Sequence, residues 1–157
     1  MTVVAVTGHR PEKITNPEWV RIELLNAYKA LTARRVITGM AAGVDLWAAR
    51  EAFIDGIPFV CARPWAGHGP RKIDTFAYNM ATKHADKVVD IDDAEDYPGP
   101  WVYQKRNEWM VDNANIVIAV WDGTSGGTAN CVKYAKKVGK SIYLINPATA
   151  EVVGLGN

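Results

Sequence analysis

Residues 124–128, with the sequence TSGGT, have the composition of an anion-binding turn. Gly126 and Gly127 lack side chains, so backbone N–H groups can approach a phosphate closely, and a following helix would add its positive amino end. Ser125 and Thr128 could donate hydroxyl groups to the same oxygens. The alternative is a strand-to-helix turn in which Thr128 caps the helix. The segment lacks the Gly-Lys-Ser/Thr ending of a P-loop.

A second candidate ligand loop, TGHRP, occupies residues 7–11. Arg10 is its leading phosphate-binding side chain, because a guanidinium group holds phosphate oxygens in a bidentate manner. His9 could contact the ligand or act as a general base, although a single loop histidine is more often structural, and Gly8 precedes it in the same ligand loop. No cluster of further His, Cys or Asp residues accompanies His9, so the sequence predicts neither a metal site nor a cofactor.

The loop at residues 39–45, GMAAGVD, combines small residues with one carboxylate. Gly39 and Gly43 have no side chains to project from this loop, so a ligand can approach its backbone. Asp45 stands where a helix is predicted to begin, and it could accept hydrogen bonds from a ribose or polarise a water molecule. Capping of that helix is the alternative role of Asp45. The glycine spacing does not match a dinucleotide-binding fingerprint.

Aromatic and polar side chains are mixed in residues 101–107, WVYQKRN. Tyr103 could stack on a base or pack on the core, and the sequence leaves both alternatives open. Arg106 and Asn107 are predicted to reach a phosphate or a sugar, because these adjacent donors have no evident acidic partner. Trp65, just past a predicted strand, could line the same pocket.

Asp122 and Gly123 directly follow a predicted strand and precede the anion-binding turn, so both are candidate ligand contacts. Asp122 is also a candidate catalytic group, because together with Asp45 it could form an acid–base pair. No Ser-His-Asp order and no CxxC motif is present, so these two carboxylates are the catalytic candidates.

Short apolar runs and helical segments alternate along the chain and must position these loops. The predicted strands span residues 3–6, 35–38, 59–62, 87–90, 116–120 and 141–145, and the predicted helices span about 17–31, 45–55, 71–84, 103–112 and 128–138. Continuously apolar strands indicate burial on both faces, which is typical of a parallel sheet. The sequence therefore predicts an α/β fold with an open, mainly parallel sheet of about five to seven strands and helices on both faces.

The loops that leave the predicted strands differ from the loops that lead into them. Those leaving the strands are long and chemically rich, whereas those entering them, such as residues 84–86 and 138–140, are short and plain. In open α/β sheets, ligands bind outside the carboxyl ends of the strands. We therefore expect the functional site at that edge of the sheet.

The composition limits the classes of partner. The length of 157 residues suits one domain, so we expect a single domain over residues 1–157. With 18 basic and 17 acidic residues and a net charge of +1, no overall field favours nucleic acid or an anionic membrane as a partner. No secretory signal, membrane-spanning run or metal-ligand cysteine spacing is visible. These features predict a cytoplasmic protein without a membrane anchor.

The motifs, in this order, resemble those of the SLOG superfamily, closest to its YpsA-like branch of bacterial and phage proteins. They are TGHRP at 7–11, GMAAGVD at 39–45, Arg106-Asn107, and WDG at 121–123 followed by GGT at 126–128. The similarity extends to about Asn146. It implies a Rossmann-like fold, a nucleotide-type ligand and frequent dimers. Trp47 and Trp109 lie on predicted helices, so we expect a homodimer with an apolar helical interface.

More distantly, the sequence resembles the lonely-guy phosphoribohydrolases of the same superfamily, which cleave the N-glycosidic bond of nucleoside 5′-monophosphates. Their signature ends in Gly-Thr, two residues and a catalytic Glu, whereas Cys131 occupies that last position here. The resemblance therefore favours a module that senses or sequesters a nucleoside phosphate or an ADP-ribose-type ligand. Hydrolysis or transfer at the N-glycosidic bond, using Asp45 or Asp122, is the alternative. The charge balance also argues against the single-strand binding of DNA-processing relatives.

Overall fold

The computed structural model describes residues 2–155 and places seven strands in one sheet. The strands are β1 (Thr2–Gly8), β2 (Ala33–Thr38), β3 (Phe59–Arg63), β4 (Lys87–Asp90), β5 (Ile116–Val120), β6 (Ser141–Asn146) and β7 (Glu151–Val153). The helices are α1 (Pro17–Ala30), α2 (Val44–Ile54), α3 (Thr75–His84), α4 (Trp101–Asp112) and α5 (Gly127–Lys137), with short 3-10 helices at Pro11–Lys13 and Lys72–Asp74. None of the helices in this described range combines the length and apolar character needed to cross a membrane.

The sheet has the order β4-β3-β2-β1-β5-β6-β7, with β1 to β6 parallel. The chain runs outward from β1 to β4 and then returns to place β5 beside β1. The predicted Rossmann-like α/β fold with a mainly parallel sheet is confirmed. The change of direction between β1 and β5 creates a topological switch point, where ligands bind in folds of this kind.

Alternate side chains of each central strand enter cores on opposite faces of the sheet. Val4 and Val6 of β1 pack in the cluster formed with α1, α2 and α3, whereas Ala5 packs in a second cluster with Met110 of α4. A third cluster joins Val117 of β5 to α4 and α5. Helices therefore cover both faces, which is why the strand sequences are continuously apolar rather than alternating.

The strand β7 has no counterpart among the predicted strands, because Val152 and Val153 form too short an apolar run to indicate one. It pairs antiparallel with β6, with Val153 opposite Leu144. Ala150, just before β7, has a φ of 55° and helps to turn the chain back. A tertiary edge contact, rather than a local sequence pattern, thus creates this strand.

Two helix starts also differ from the sequence expectation. The helix expected from Arg71 begins at Thr75, after the 3-10 helix at Lys72–Asp74. The helix expected from Thr128 begins at Gly127, and its N-cap is Gly126 with a φ of 138°. The capping role considered for Thr128 is therefore wrong. A residue with a side chain would be strained at position 126.

Candidate functional site

A cavity of about 680 Å³ lies at the carboxyl ends of the strands, beside the switch point between β1 and β5. Most of the side chains and turns singled out from the sequence line this cavity. They are Gly8, His9, Arg10, Asp45, Trp65, Tyr103, Arg106, Asn107, Ser125, Gly126, Gly127 and Thr128. Residues separated by more than a hundred positions in the chain therefore share one space, because parallel strands end at the same edge of the sheet.

The amino end of α5 opens into this cavity with its backbone donors free. The first backbone hydrogen bond into the helix runs from Asn130 N–H to the Gly126 carbonyl, over 3.0 Å. No side chain caps the helix, and the described residues supply no acceptor for the N–H groups of residues 127–129. An added Cβ at Gly126 or Gly127 would meet no atom within 4 Å. The turn can therefore receive an anion at the positive end of the helix.

Arg106 places a guanidinium group inside the cavity wall, although its side chain belongs to α4. Only 8% of the residue is exposed. Its Nη1 donates to the Gly39 carbonyl over 2.8 Å, and its Nη2 lies 3.5 Å from the Asn107 Oδ1 atom. Its Nε is buried without a hydrogen-bond partner, and no carboxylate of the described chain lies within 4.0 Å of the guanidinium. A buried cation in this state has unused binding capacity for an anion.

Asn107 connects the same helix to the anion-binding turn. Its Nδ2 donates to the Gly127 carbonyl over 3.3 Å, and only 5% of the residue is exposed. This contact holds the first turn of α5 against α4. Asn107 therefore positions the turn as well as lining the cavity.

Asp45 lies in the first turn of α2, where 6% of it is exposed. Burial raises its pKa to about 6, although Arg106, the Ala41 N–H group and Arg10 each act to lower it. Its Oδ2 accepts the Ala41 N–H over 3.0 Å, so the carboxylate holds the preceding loop rather than capping the helix. A carboxyl that exchanges its proton near neutral pH, beside a cationic pocket, is suited to proton transfer.

The glycines of the two neighbouring loops permit close packing. A Cβ at Gly8 would lie 2.5 Å from Val44 Cγ1, so its absence lets β1 approach α2. Gly43 has a φ of 87°, and a Cβ there would lie 2.8 Å from the His9 carbonyl oxygen. Gly39 and Gly43 do not line the cavity themselves, so their contribution to it is the placement of neighbouring loops.

Asp122 and Gly123 are outside the cavity lining, so only Asp45 of the two candidate catalytic carboxylates faces it. The Asp122 Oδ1 atom accepts the Thr124 hydroxyl over 2.6 Å and lies 2.8 Å from His9 Nε2. Hydrogen bonds from Thr124 and His9 hold the pKa of Asp122 at about 2. A carboxylate in that state is a weak base, and its contacts orient His9 and the Thr124 turn. Gly123, with a φ of 91°, provides the sharp turn between them.

A cluster of aromatic side chains forms another side of the cavity. The Trp65 ring centroid lies 4.8 Å from that of His68, 5.3 Å from that of Tyr97 and 6.1 Å from that of Tyr103, in edge-on geometry in each case. The Tyr103 ring also lies 5.8 Å from the Arg106 guanidinium carbon. Tyr103 therefore takes part in the cavity wall, and it joins the aromatic side chains to the cationic group.

Several lining residues were not identified from the sequence, among them Lys13, His68, Arg71 and Tyr78. Lys13 could have been noticed, because it follows the Arg10 loop and its Nζ donates to the Thr124 hydroxyl oxygen over 3.0 Å. Arg71 gave no signal, since residue 71 was expected inside a helix. Its guanidinium instead bridges to Glu12 over 2.8 Å, across 59 residues of chain. Within residues 2–155, no three His, Cys, Asp or Glu side chains are grouped so as to hold a metal ion.

Solved structures share this fold at low sequence identity. The DNA processing protein A of Streptococcus pneumoniae aligns with a TM-score of 0.71 and 16% identity, over 93% of this chain and 50% of its own. The protein of the same name from Helicobacter pylori, described with a single-stranded DNA binding mode, gives 0.71 and 15%, over 92% of this chain and 65% of its own. A molybdenum cofactor carrier protein from Chlamydomonas reinhardtii gives 0.62 and 19%, over 91% and 75%.

A relative at higher identity is the uncharacterized SPbeta prophage-derived protein YoqJ of Bacillus subtilis strain 168. It is 35% identical over a segment that covers 45% of this chain and 47% of YoqJ. The chain thus spans about half to two thirds of the DNA processing proteins, and its match to YoqJ spans less than half of that relative. Together with the match of residues 1–156 to the family profile described as DNA recombination-mediator protein A, these comparisons confirm the predicted membership of the SLOG superfamily.

The family comparison corrects one expectation from the composition. The sequence profile of the family described as DNA recombination-mediator protein A matches residues 1–156. Together with the single-stranded DNA binding described for the Helicobacter pylori protein, it shows that the argument against nucleic acid as a partner was wrong. A net charge of +1 sums the whole surface, whereas Arg10, Lys13 and Arg106 are gathered at one cavity. The chain belongs to the DNA recombination-mediator protein A family.

Proposed function

We propose that the cavity binds a nucleotide-type ligand through its phosphate, and that the protein acts as a sensing or sequestering module. The phosphate would lie at the amino end of α5, where the N–H groups of residues 127–129 have no acceptor among the described residues. This set of free donors in an open turn is the observation that carries the proposal. Backbone donors at a helix amino end bind phosphate without rearrangement.

The buried guanidinium of Arg106 supports the same assignment. A phosphate near its unpartnered Nε would compensate a charge that now has only carbonyl and amide oxygens as hydrogen-bond partners. Arg10, which is exposed at the cavity and forms no ion pair with another described residue, can close on the ligand from the solvent side. The aromatic side chains Trp65 and Tyr103 leave an apolar surface beside the cationic end of the cavity.

Single-stranded DNA is the second candidate ligand, and family membership is the observation that favours it. Its backbone presents the same phosphate chemistry. The cavity meets the surface beside Arg10 and Lys13, so one phosphate of a strand can enter while its neighbours stay outside. Binding of this kind depends strongly on salt concentration, because phosphate contacts release counterions.

The experiment compares Arg10→Ala with Arg34→Ala, which removes another exposed arginine charge at the amino end of β2, at the opposite edge of the sheet. Calorimetry with ribose 5-phosphate, AMP and ADP-ribose tests the nucleotide ligand. Fluorescence anisotropy with a labelled oligothymidylate, at low and high salt, tests DNA. A hydrogen bond to a charged group contributes about 1.5–3 kcal/mol, so Arg10→Ala should weaken binding by about 10- to 150-fold. Arg34→Ala should bind like the parent.

Each result has one meaning. Saturable binding of a nucleotide that Arg10→Ala weakens supports the first candidate, whereas binding of the oligonucleotide alone supports the second. If neither ligand binds the parent, both candidates are wrong. If Arg10→Ala binds normally and unfolds at a lower temperature, Arg10 is a structural residue instead.

The hydrolytic alternative depends on Asp45, because Asp122 does not line the cavity. A general base with a pKa of about 6 favours it, whereas the buried Cys131 occupies the position of the catalytic Glu in the signature of the lonely-guy phosphoribohydrolases. We expect AMP to be recovered intact after incubation with the parent protein. Release of adenine that Asp45→Asn abolishes would instead establish the hydrolase.

A further inference from the structure

His68, which lies in the loop after β3, is tied twice to the hydroxyl group of one tyrosine. The Tyr78 Oη atom lies 2.8 Å from the His68 carbonyl oxygen and 2.9 Å from the His68 Nδ1 atom. Tyr78 belongs to α3 and is 4% exposed, so this anchor is part of the core. The imidazole ring is therefore held in one orientation at the edge of the cavity.

The two contacts determine which ring nitrogen carries the proton. A carbonyl oxygen can only accept, so the single hydroxyl proton of Tyr78 must point at the His68 carbonyl. The Nδ1 atom must then donate its own proton to the Tyr78 oxygen. Neutral His68 is consequently the Nδ1–H tautomer, and its Nε2 carries a lone pair.

His68 stays neutral at physiological pH, because burial and the nearby charges of Arg106, Arg63 and Arg10 lower its pKa to about 4. The hydrogen bonds of the described residues leave Nε2 without a partner, and this atom is not among the fully buried polar atoms. His68 lines the cavity. The ring thus offers an unpartnered neutral hydrogen-bond acceptor to the cavity.

The neighbours of His68 connect it to the cationic end of the cavity. The ring centroid of His68 lies 4.8 Å from that of Trp65, in edge-on geometry, and the Trp65 centroid lies 6.1 Å from that of Tyr103. The Tyr103 centroid lies 5.8 Å from the guanidinium carbon of Arg106. The wall therefore changes from charge at Arg106 to an apolar surface at Trp65 and then to a single acceptor at His68.

We propose that Trp65 and His68 form the subsite for the sugar and base of the ligand, with His68 Nε2 accepting a hydrogen bond from a ligand N–H or O–H group. This inference rests on the proposed phosphate-linked binding and adds the chemical class of the remaining part of the ligand. That part must be a ring system with at least one hydrogen-bond donor, which can be a ribose hydroxyl or a base amino group.

The test measures AMP and ribose 5-phosphate by calorimetry on the parent, His68→Phe and a control, His84→Phe. His68→Phe keeps an aromatic ring but removes the acceptor, whereas His84 is exposed at the end of α3, outside this cavity. A net hydrogen bond between neutral groups corresponds to about a 2- to 10-fold change in affinity. If the donor is on the base, His68→Phe should lower the affinity for AMP by that factor and leave the affinity for ribose 5-phosphate unchanged. If the donor is a sugar hydroxyl, His68→Phe should lower both affinities alike. His84→Phe should change neither.

Two analogues assign the donor. Loss of affinity for 2′-deoxy-AMP places it on the ribose, and loss for purine riboside 5′-monophosphate places it on the base amino group. If these two analogues and 3′-deoxy-AMP all bind like AMP, or if His68→Phe binds every ligand like the parent, the subsite is refuted while phosphate binding stands. If the parent binds none of these phosphates, the proposed function fails as well.

The tautomer of His68 can be measured directly by NMR. Long-range proton–nitrogen NMR correlations on the ligand-free protein should show Nδ1 protonated and Nε2 unprotonated in His68. Tyr78→Phe should release this preference, because the acceptor for the Nδ1 proton is lost. An Nε2–H tautomer in the parent would contradict the inference, whatever the affinities.

Discussion

Asp45 and Arg106, 61 positions apart in sequence, lie against the same side of Gly39. A Cβ added to Gly39 would be 3.0 Å from Asp45 Oδ2 and 3.0 Å from Arg106 Nε. Burial raises the pKa of Asp45 by more than the guanidinium lowers it, and the result is a value of about 6. The absence of a side chain at Gly39 thus permits the buried guanidinium and the only buried carboxylate in the described cavity lining to lie near one another.

Gly39→Ala should therefore disturb both charged groups. The added methyl group must displace the guanidinium or the carboxylate, and overpacking of this kind costs about 1–3 kcal/mol of the free energy of unfolding. Urea denaturation measures the loss. Gly69→Ala is the control, because a Cβ there meets no atom within 4 Å. Equal stability of the two variants would show that the site adjusts freely around Gly39.

Gly127→Val tests the anion-binding turn separately from the fold. The space around the missing Cβ is open, so the fold should tolerate the change, whereas the branched side chain would occupy the position of the phosphate. We expect a larger loss of ligand affinity than with Arg10→Ala, and Gly127→Ala should lie between parent and valine variant. Calorimetry measures the affinities and thermal denaturation the stability. Normal ligand affinity of Gly127→Val would place the phosphate elsewhere.

Because of Asp45, the free energy of unfolding should fall as the pH rises from about 4 to 6. Its folded pKa of about 6 lies above the ordinary value of 3.8, so within this window the folded chain holds a proton that the unfolded chain has released. Asp45→Asn cannot ionise and should be more stable than the parent at pH 7, by on the order of 1–3 kcal/mol. The difference should vanish toward pH 4. Denaturant titrations at several pH values measure it, and a less stable Asn variant at pH 7 would contradict the burial argument.

Asp122→Asn should change the stability at pH 7 in the opposite direction to Asp45→Asn. Hydrogen bonds from Thr124 and His9 hold the folded pKa at about 2, below the ordinary 3.8, so the ionised carboxylate stabilises the fold above pH 4. The variant should be less stable than the parent at pH 7, and the difference should shrink as pH falls from about 4 to 2. A constant difference across that range would assign the effect to packing rather than charge.

The homodimer expected from Trp47 and Trp109 stays a prediction. Trp47 packs on the α1–α3 side of the sheet and Trp109 on the α4 side, so one compact interface cannot contain both. Phe76, 79% exposed beside the groove that Trp47 lines, is the better candidate contact. Light scattering at micromolar concentration should give twice the chain mass, and Phe76→Ser should reduce it while Val153→Ser, on β7, should not. A monomeric parent would disprove the dimer.

Much of the architecture is encoded in local patterns. A run such as Ile116–Val120 is apolar at every position, and burial on both faces is the only environment that suits it, so the parallel sheet could be predicted. The glycines and polar residues that follow such runs must then lie at one edge. The location of the cavity follows from that, and so does the presence of Arg10 and the 124–128 turn at its border.

The direction and electrostatic state of each side chain were decided by contacts between distant segments. Asp45 and Asp122 look equivalent in sequence, yet α2 packed against β1 turns Asp45 inward, whereas Thr124 and His9 hold Asp122 outside. Of the loop at residues 63–69 only Trp65 is singled out by sequence, because the tautomer of His68 depends on a tyrosine from another element. The sequence by itself determined which chemical groups reach the carboxyl edge of the sheet. Only the tertiary structure decided which of them are buried, paired or free, since burial and pairing are properties of the assembled neighbours rather than of the chain order.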